Sequence, residues 1–167
     1  EKYEIDSKYV DYVVVIDKIG DANGIVSGTT KITKDPVGLK IASMTAKLLN
    51  ELGLIENGVS MQTGAGGTSL AVASYVKELM IKKNVKGSFA SGGITSYFVN
   101  MASEGLLEKL MDVQCFDLDA VNSYANNPFH FGMSDSKYAN PYDEPVVNGL
   151  DFVILGATEI DVNFNVN

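Results

Sequence analysis

Val59-Ser-Met-Gln-Thr-Gly-Ala-Gly-Gly-Thr-Ser-Leu70 passes from an apolar strand pattern through a glycine turn into a helix predicted to reach about Ile81. Gly64, Gly66 and Gly67 lack a Cβ, so the chain there can take positive φ and lie close to a ligand. Thr68 or Ser69 can cap the helix, whose first N–H groups and positive dipole end favour an anion. Taken alone, the stretch also suits a tight strand-to-helix turn with no ligand, and its spacing is neither the Walker type nor a full G-x-G-x-x-G. A second stretch, Gly87-Ser-Phe-Ala-Ser-Gly-Gly-Ile94, repeats the order of apolar run, paired glycines and helical pattern. In an open parallel sheet such turns share the carboxyl edge, where ligands bind. Both turns are therefore expected on the same edge.

Around these turns the chain has the size of one domain, with 167 residues, 46% hydrophobic and 20% charged content. The net charge of −8 disfavours nucleic acid, whose phosphates need a basic face. All cationic side chains are lysines, since no arginine occurs. A carboxylate or phosphate ligand must then be held by Lys, backbone N–H groups or hydroxyls, or by another domain, without a bidentate guanidinium. Cys115 is the only cysteine, which excludes a disulfide framework and gives no Cys-based metal motif. No run reaches the ~18 apolar residues of a membrane span, and no signal peptide is visible, so the cytoplasm is expected.

In chain order, Tyr9 to Asp17 reads as a buried strand around Tyr12-Val-Val-Val-Ile16, and Lys18 to Thr33 as a loop. Asp35-Pro36 starts a helix with Val37, Ile41, Met44, Leu48 and Leu52 as its apolar face, ended by Gly53. The Val59–Gln62 strand, the glycine turn and the second helix follow, with Lys82-Lys83-Asn84 at the helix end. Gly87–Ser91 reads as a strand, and Ile94–Leu110 as a helix that Gly105 can kink or break. Met111–Phe116 is a strand, Asp117–Tyr124 a short helix, and 125–149 a long loop. Phe152–Leu155 is a strand and Glu159–Val166 a further strand pattern. Strands alternating with helices mean an α/β fold with a mostly parallel sheet flanked by helices. The chain begins at charged Glu1 and stops at Phe164-Asn-Val-Asn167 inside a strand-like pattern, so it is expected to be an excised domain.

Gln62-Thr-Gly-Ala-Gly-Gly67, Gly87-Ser-Phe-Ala-Ser-Gly-Gly-Ile-Thr95, Asp112-Val-Gln-Cys-Phe-Asp117, Tyr138-Ala-Asn-Pro141 and Leu155-Gly-Ala-Thr-Glu-Ile-Asp161 together resemble the alpha subunit of citrate lyase. Asp17-Lys-Ile-Gly-Asp21 and Ser27-Gly-Thr-Thr30 fit as well. The resemblance implies a CoA-transferase-like domain, corresponding over residues 1–167 to most of the second of two similar α/β domains. It implies exchange of acetyl for citrate on the phosphopantetheine thiol of an acyl carrier protein, or on CoA, as the thioester substrate. It also implies a lyase beta subunit and an acyl-carrier gamma subunit as partners, with no metal, no nucleic acid and no membrane. The cofactor contacts it suggests are Gly64, Ala65, Gly66, Gly67, Gly92, Gly93 and Asn165. A lone copy of the chain is expected to be inactive, because the site lies between domains.

Covalent relatives carry a glutamate that falls on Gly92 here. A glutamyl thioester cannot form at a glycine, so transfer is expected to pass directly or through a mixed anhydride, aided by N–H donors. Glu56-Asn-Gly58 mimics another glutamate motif but sits before the second strand, on the wrong edge. Glu159 is the candidate catalytic acid, with Asp161 beside it, although both also suit structural pairing. His130, the sole histidine, has no evident partner and cannot alone hold a metal. Cys115 reads as a core thiol rather than a nucleophile. The rival function is a sugar-phosphate isomerase-like or other small-ligand-binding domain, which would want basic residues for a phosphate.

Overall fold

The computed structural model describes residues 5–18, 20–21 and 30–167. Its centre is a five-stranded sheet in the order β4-β3-β2-β1-β5. The strands are β1 (Ser60–Thr63), β2 (Gly87–Ile94), β3 (Leu107–Cys115), β4 (His130–Gly132) and β5 (Phe152–Ile154). Every pairing is parallel: Met61 lies opposite Ala90, Gln62 opposite Val153, Ala90 opposite Leu110, and Leu110 opposite His130. The helices are α1 (Pro36–Glu51), α2 (Gly67–Lys83), α3 (Ser96–Ser103), α4 (Leu118–Asn126) and α5 (Asp135–Ala139). The crossovers through α2, α3 and α4 all step the same way, which with right-handed connections puts them on one face. The β4-to-β5 connection, which contains α5, then returns to the far side of β1. The strand order thus reverses at β1, the kind of point where open parallel sheets bind ligands.

The core lies between the sheet and the helical face. Met61, Ala90, Ile94 and Leu110 from the strands meet Val76 and Met80 of α2 and Phe98 and Met101 of α3, all essentially inaccessible. Asp35 caps α1 by accepting from the Gly38 N–H at 2.8 Å, with Pro36 at the first turn. Gly53 ends that helix at φ +73°, and Asn84 ends α2 in the left-handed region.

Several expectations change. The face of α1 that is buried is Gly38, Ala42, Ala46 and Leu49, packed on α2. The larger set, Val37, Ile41, Met44, Leu48 and Leu52, is each at least 53% exposed. Small residues four apart let the two helices approach closely, and at about 100° per residue the larger set lies roughly a third of a turn away. Tyr9 to Asp17 forms no strand: Tyr12 to Val15 are at least 78% exposed. A run of β-branched residues reports a demand for burial without supplying a pairing partner. The 18–33 loop and the motifs at 17–21 and 27–30 lie partly outside the described residues.

The N-cap of α2 is Gly66, with no side-chain cap, rather than Thr68 or Ser69. The second glycine pair lies inside β2, which runs on to Ile94. The predicted helix at 94–110 stops at Ser103, because Gly105 turns the chain at φ +76° and Leu107 already belongs to β3. The predicted loop at 125–149 contains β4, α5 and a 3-10 turn at Val146–Gly149. Ser134 caps α5 by accepting from Lys137. The Glu159–Val166 pattern makes one antiparallel bridge, Ile160 with Val166, rather than a strand.

Candidate functional site at the carboxyl edge

Because β1 and β2 run parallel in register, both glycine stretches lie at the same edge, as expected. They differ in construction. After Thr63, the Gly64 N–H donates to the Ile154 carbonyl at 2.8 Å, tying the first turn to β5. None of Gly64, Gly66 and Gly67 uses positive φ. Gly67 is required for close approach: a Cβ there would sit 3.0 Å from the Lys31 carbonyl and the Thr33 nitrogen. Gly66 faces open space. Of the candidate contacts, Gly67 thus has a packing reason for its identity, whereas Gly66 and the first N–H groups of the 17-residue α2 remain presented at the edge.

Gly92 does need its freedom, at φ +89°. It starts a bulge, with Gly92 opposite Asp112 but Gly93 opposite Gln114. A Cβ on Gly92 would lie 2.7 Å from both Cδ and Nε2 of Gln62. The Tyr138 hydroxyl, from α5, donates to Gln62 Oε1 at 2.6 Å. A Cβ on Gly93 would fall 1.8 Å from the Phe116 ring.

The bulge is braced by Asp112, a carboxylate only 4% exposed. Its Oδ1 accepts the N–H groups of Gln114 at 2.8 Å and Ile94 at 3.2 Å. Its Oδ2 accepts the Cys115 thiol at 3.0 Å and lies 3.0 Å from His130 Nε2, while His130 Nδ1 is 2.9 Å from Ser123 Oγ of α4. His130, expected to lack a partner, therefore has two. The signal that could have found the cluster is a carboxylate in the apolar run Leu110-Met-Asp-Val113. The thiol of Cys115 is pushed up to about 12 from the usual 9.0, first by burial and then by Asp112. It is thus a poor nucleophile, as the sequence suggested. Donor atoms of Asp112, Cys115 and His130 lie within 4.8 Å of one another, a set that could take a divalent cation, although each already has a hydrogen-bond partner.

The hydroxyls of Thr63, Ser91 and Thr95 are buried and, among the described residues, without a hydrogen-bond partner. Thr63 ends β1, Ser91 lies within β2 and Thr95 is the N-cap of α3, and buried polar groups left unpaired call for an explanation. Glu159 and Asn165 are held differently. Both are exposed in the C-terminal hairpin, where Glu159 Oε1 lies 3.4 Å from Asn167 Nδ2. Asn165 donates from both its backbone and its side chain to Asp161, whose carboxyl is held below its usual value chiefly by those bonds. Glu56 is exposed before β1, at the edge opposite the glycines.

The parallel sheet, its flanking helices and this edge define an α/β domain with a candidate ligand-binding edge. The model of the citrate lyase alpha subunit family matches residues 2–167. The citrate lyase alpha chain of Escherichia coli (strain K12) is 43% identical over 98% of this chain and 32% of its own length. That of Haemophilus influenzae is 43% identical over 95% of this chain and 32% of its own. A Streptococcus mutans protein assigned as the alpha subunit of citrate lyase, solved in complex with citrate, superposes with a TM-score of 0.87 at 45% identity, over 95% of this chain and 31% of that one. The chain belongs to the citrate lyase alpha subunit family, and it spans about a third of the length of these relatives.

Proposed function

We propose that the chain is one half of a citrate:acetyl-acyl-carrier transferase site, corresponding to most of the second CoA-transferase domain of a larger subunit. A citrate carboxylate oxygen attacks the acetyl thioester carbonyl, the C–S bond breaks and the carrier thiolate leaves. The thiolate then attacks the citryl carbonyl of the mixed anhydride, the C–O bond breaks and acetate leaves. Citryl thioester and acetate are the products. Phosphopantetheine of an acyl carrier protein, or CoA, is the thiol. A lyase beta subunit and an acyl-carrier gamma subunit are the partners, and the cytoplasm is the location.

The observation that carries this reading is the likeness to a relative solved with citrate, together with a carboxyl edge that presents the first N–H groups of α2. With no arginine in the chain, oxyanions here are met by Lys, hydroxyls, another domain or backbone N–H groups such as those of Ala65, Gly66, Gly92 and Gly93, the Gly64 N–H being already given to Ile154. Glu159 and Asn165 are on the C-terminal hairpin, and their part in the site requires them to leave their present partners. The reading is tested by assaying the full-length subunit with citrate and acetyl-CoA or acetyl-carrier. Citryl thioester should form with the full-length subunit and not with residues 1–167 alone. Transfer by the isolated chain would contradict the two-domain site, and none by the intact subunit would contradict the activity.

A further inference from the structure

We infer that the Gln62 carboxamide, clamped by Tyr138, is the neutral donor that meets the substrate oxyanion at the Gly92 corner; the substrate class rests on the transferase reading above. Gln62 lies one residue from the carboxyl end of β1, and only 8% of it is exposed. Its Cδ and Nε2 occupy the space into which any side chain on Gly92 would begin, 2.7 Å from the position of a Cβ. The carboxyl edge therefore carries, at the position where a side chain of residue 92 would project, an uncharged amide borne by the neighbouring strand.

The amide is oriented rather than loose. Tyr138 O–H donates to Oε1 at 2.6 Å, which commits the oxygen and leaves the NH2 on the Gly92 side. The positive φ of Gly92 and the Asp112-braced bulge hold that corner open for the amide. Donors fixed before the reaction lose no orientation as negative charge develops on an acyl or carboxylate oxygen. A carboxylate in the same place would repel an anionic substrate, whereas a carboxamide attracts it. In these terms Gln62 touches substrate and Tyr138 is a positioning residue.

The test uses the full-length subunit with Gln62→Leu, Gln62→Glu and Tyr138→Phe. Circular dichroism and urea midpoints establish that each variant folds. Gln62→Leu should lower kcat/KM about 100-fold, the size typical of losing one oxyanion donor. Tyr138→Phe should lower kcat about tenfold with a smaller change in the citrate KM. The decisive arm is Gln62→Glu. Its activity relative to wild type at each pH should rise as pH falls from 8 to 5, since protonation restores a neutral donor and removes the repulsion. A purely structural glutamine would give a constant ratio. Gln62→Leu within threefold of wild type, or a flat Gln62→Glu ratio, overturns the inference. If the wild-type subunit shows no transfer, citrate calorimetry decides. Wild-type binding lost in Gln62→Leu upholds the contact while the transferase reading fails, and equal binding, or none, by both overturns it.

Discussion

Gly92 and Gly93 do different work, and substitution separates them. Alanine at 92 meets both a left-handed backbone at φ +89° and Gln62 at 2.7 Å, so it should cost about 2–4 kcal/mol in a urea melt. Alanine at 93 is placed 1.8 Å from a ring atom of Phe116, so the ring must move, and the expected loss is larger. Gly92→Glu should give no glutamyl thioester and no gain of activity, since its side chain has no path past Gln62. At Cys115 the expectation concerns pH. A thiol raised in the folded state to about 12 from 9.0 stabilises fully below the unfolded value, and the contribution is lost as pH rises from about 9 toward 12. Alkylation of native Cys115 should accordingly be slow at pH 8 and should speed up on adding urea. Fast native alkylation would contradict the half-buried, Asp112-bonded thiol.

At the scale of elements, the alternation of strand and helix was legible because continuous apolar runs and glycine turns punctuate it. Asp35-Pro36, Gly53 and Asn84 marked helix ends by local chemistry alone. What was not legible depended on distant partners. Asp112 and His130 are 18 residues apart in the chain, and nothing local joins them. Removing the brace by Asp112→Ala orphans the N–H groups of Ile94 and Gln114 and His130 Nε2. It should therefore cost about 3–5 kcal/mol in denaturant unfolding. The buried side of α1 departs from its apolar periodicity because size, not hydrophobicity, chooses it: Ala42 and Ala46 pack where larger residues cannot. In the isolated chain, Leu48→Lys should change stability by less than about 0.5 kcal/mol, whereas Ala46→Leu should cost about 1–3 kcal/mol. The reverse ranking would restore the face drawn from the apolar periodicity. In the candidate site the glycines and their common edge were legible, but the Tyr138–Gln62 clamp was not, since it joins residues 76 apart.

At the scale of the molecule, the chain combines a well-packed sheet core with large apolar surfaces. Val37, Ile41, Met44, Leu48 and Leu52 on α1 and Tyr12 to Ile16 before it are all more than half exposed. Exposed stripes of this kind mark surfaces that meet other protein. The isolated chain should bind an apolar dye and self-associate, and polar substitutions on α1 should suppress both. In the proposed transferase the carboxyl edge acts without a covalent carboxylate at position 92. The most direct measurement is intact-mass and peptide mass spectrometry of the full-length subunit, trapped with hydroxylamine or borohydride during turnover with acetyl-CoA and citrate. The account predicts turnover with no modified carboxylate, Glu159 included, and an unmodified peptide spanning Gly92. A stoichiometric glutamyl-CoA adduct on any carboxylate of residues 1–167 would contradict it.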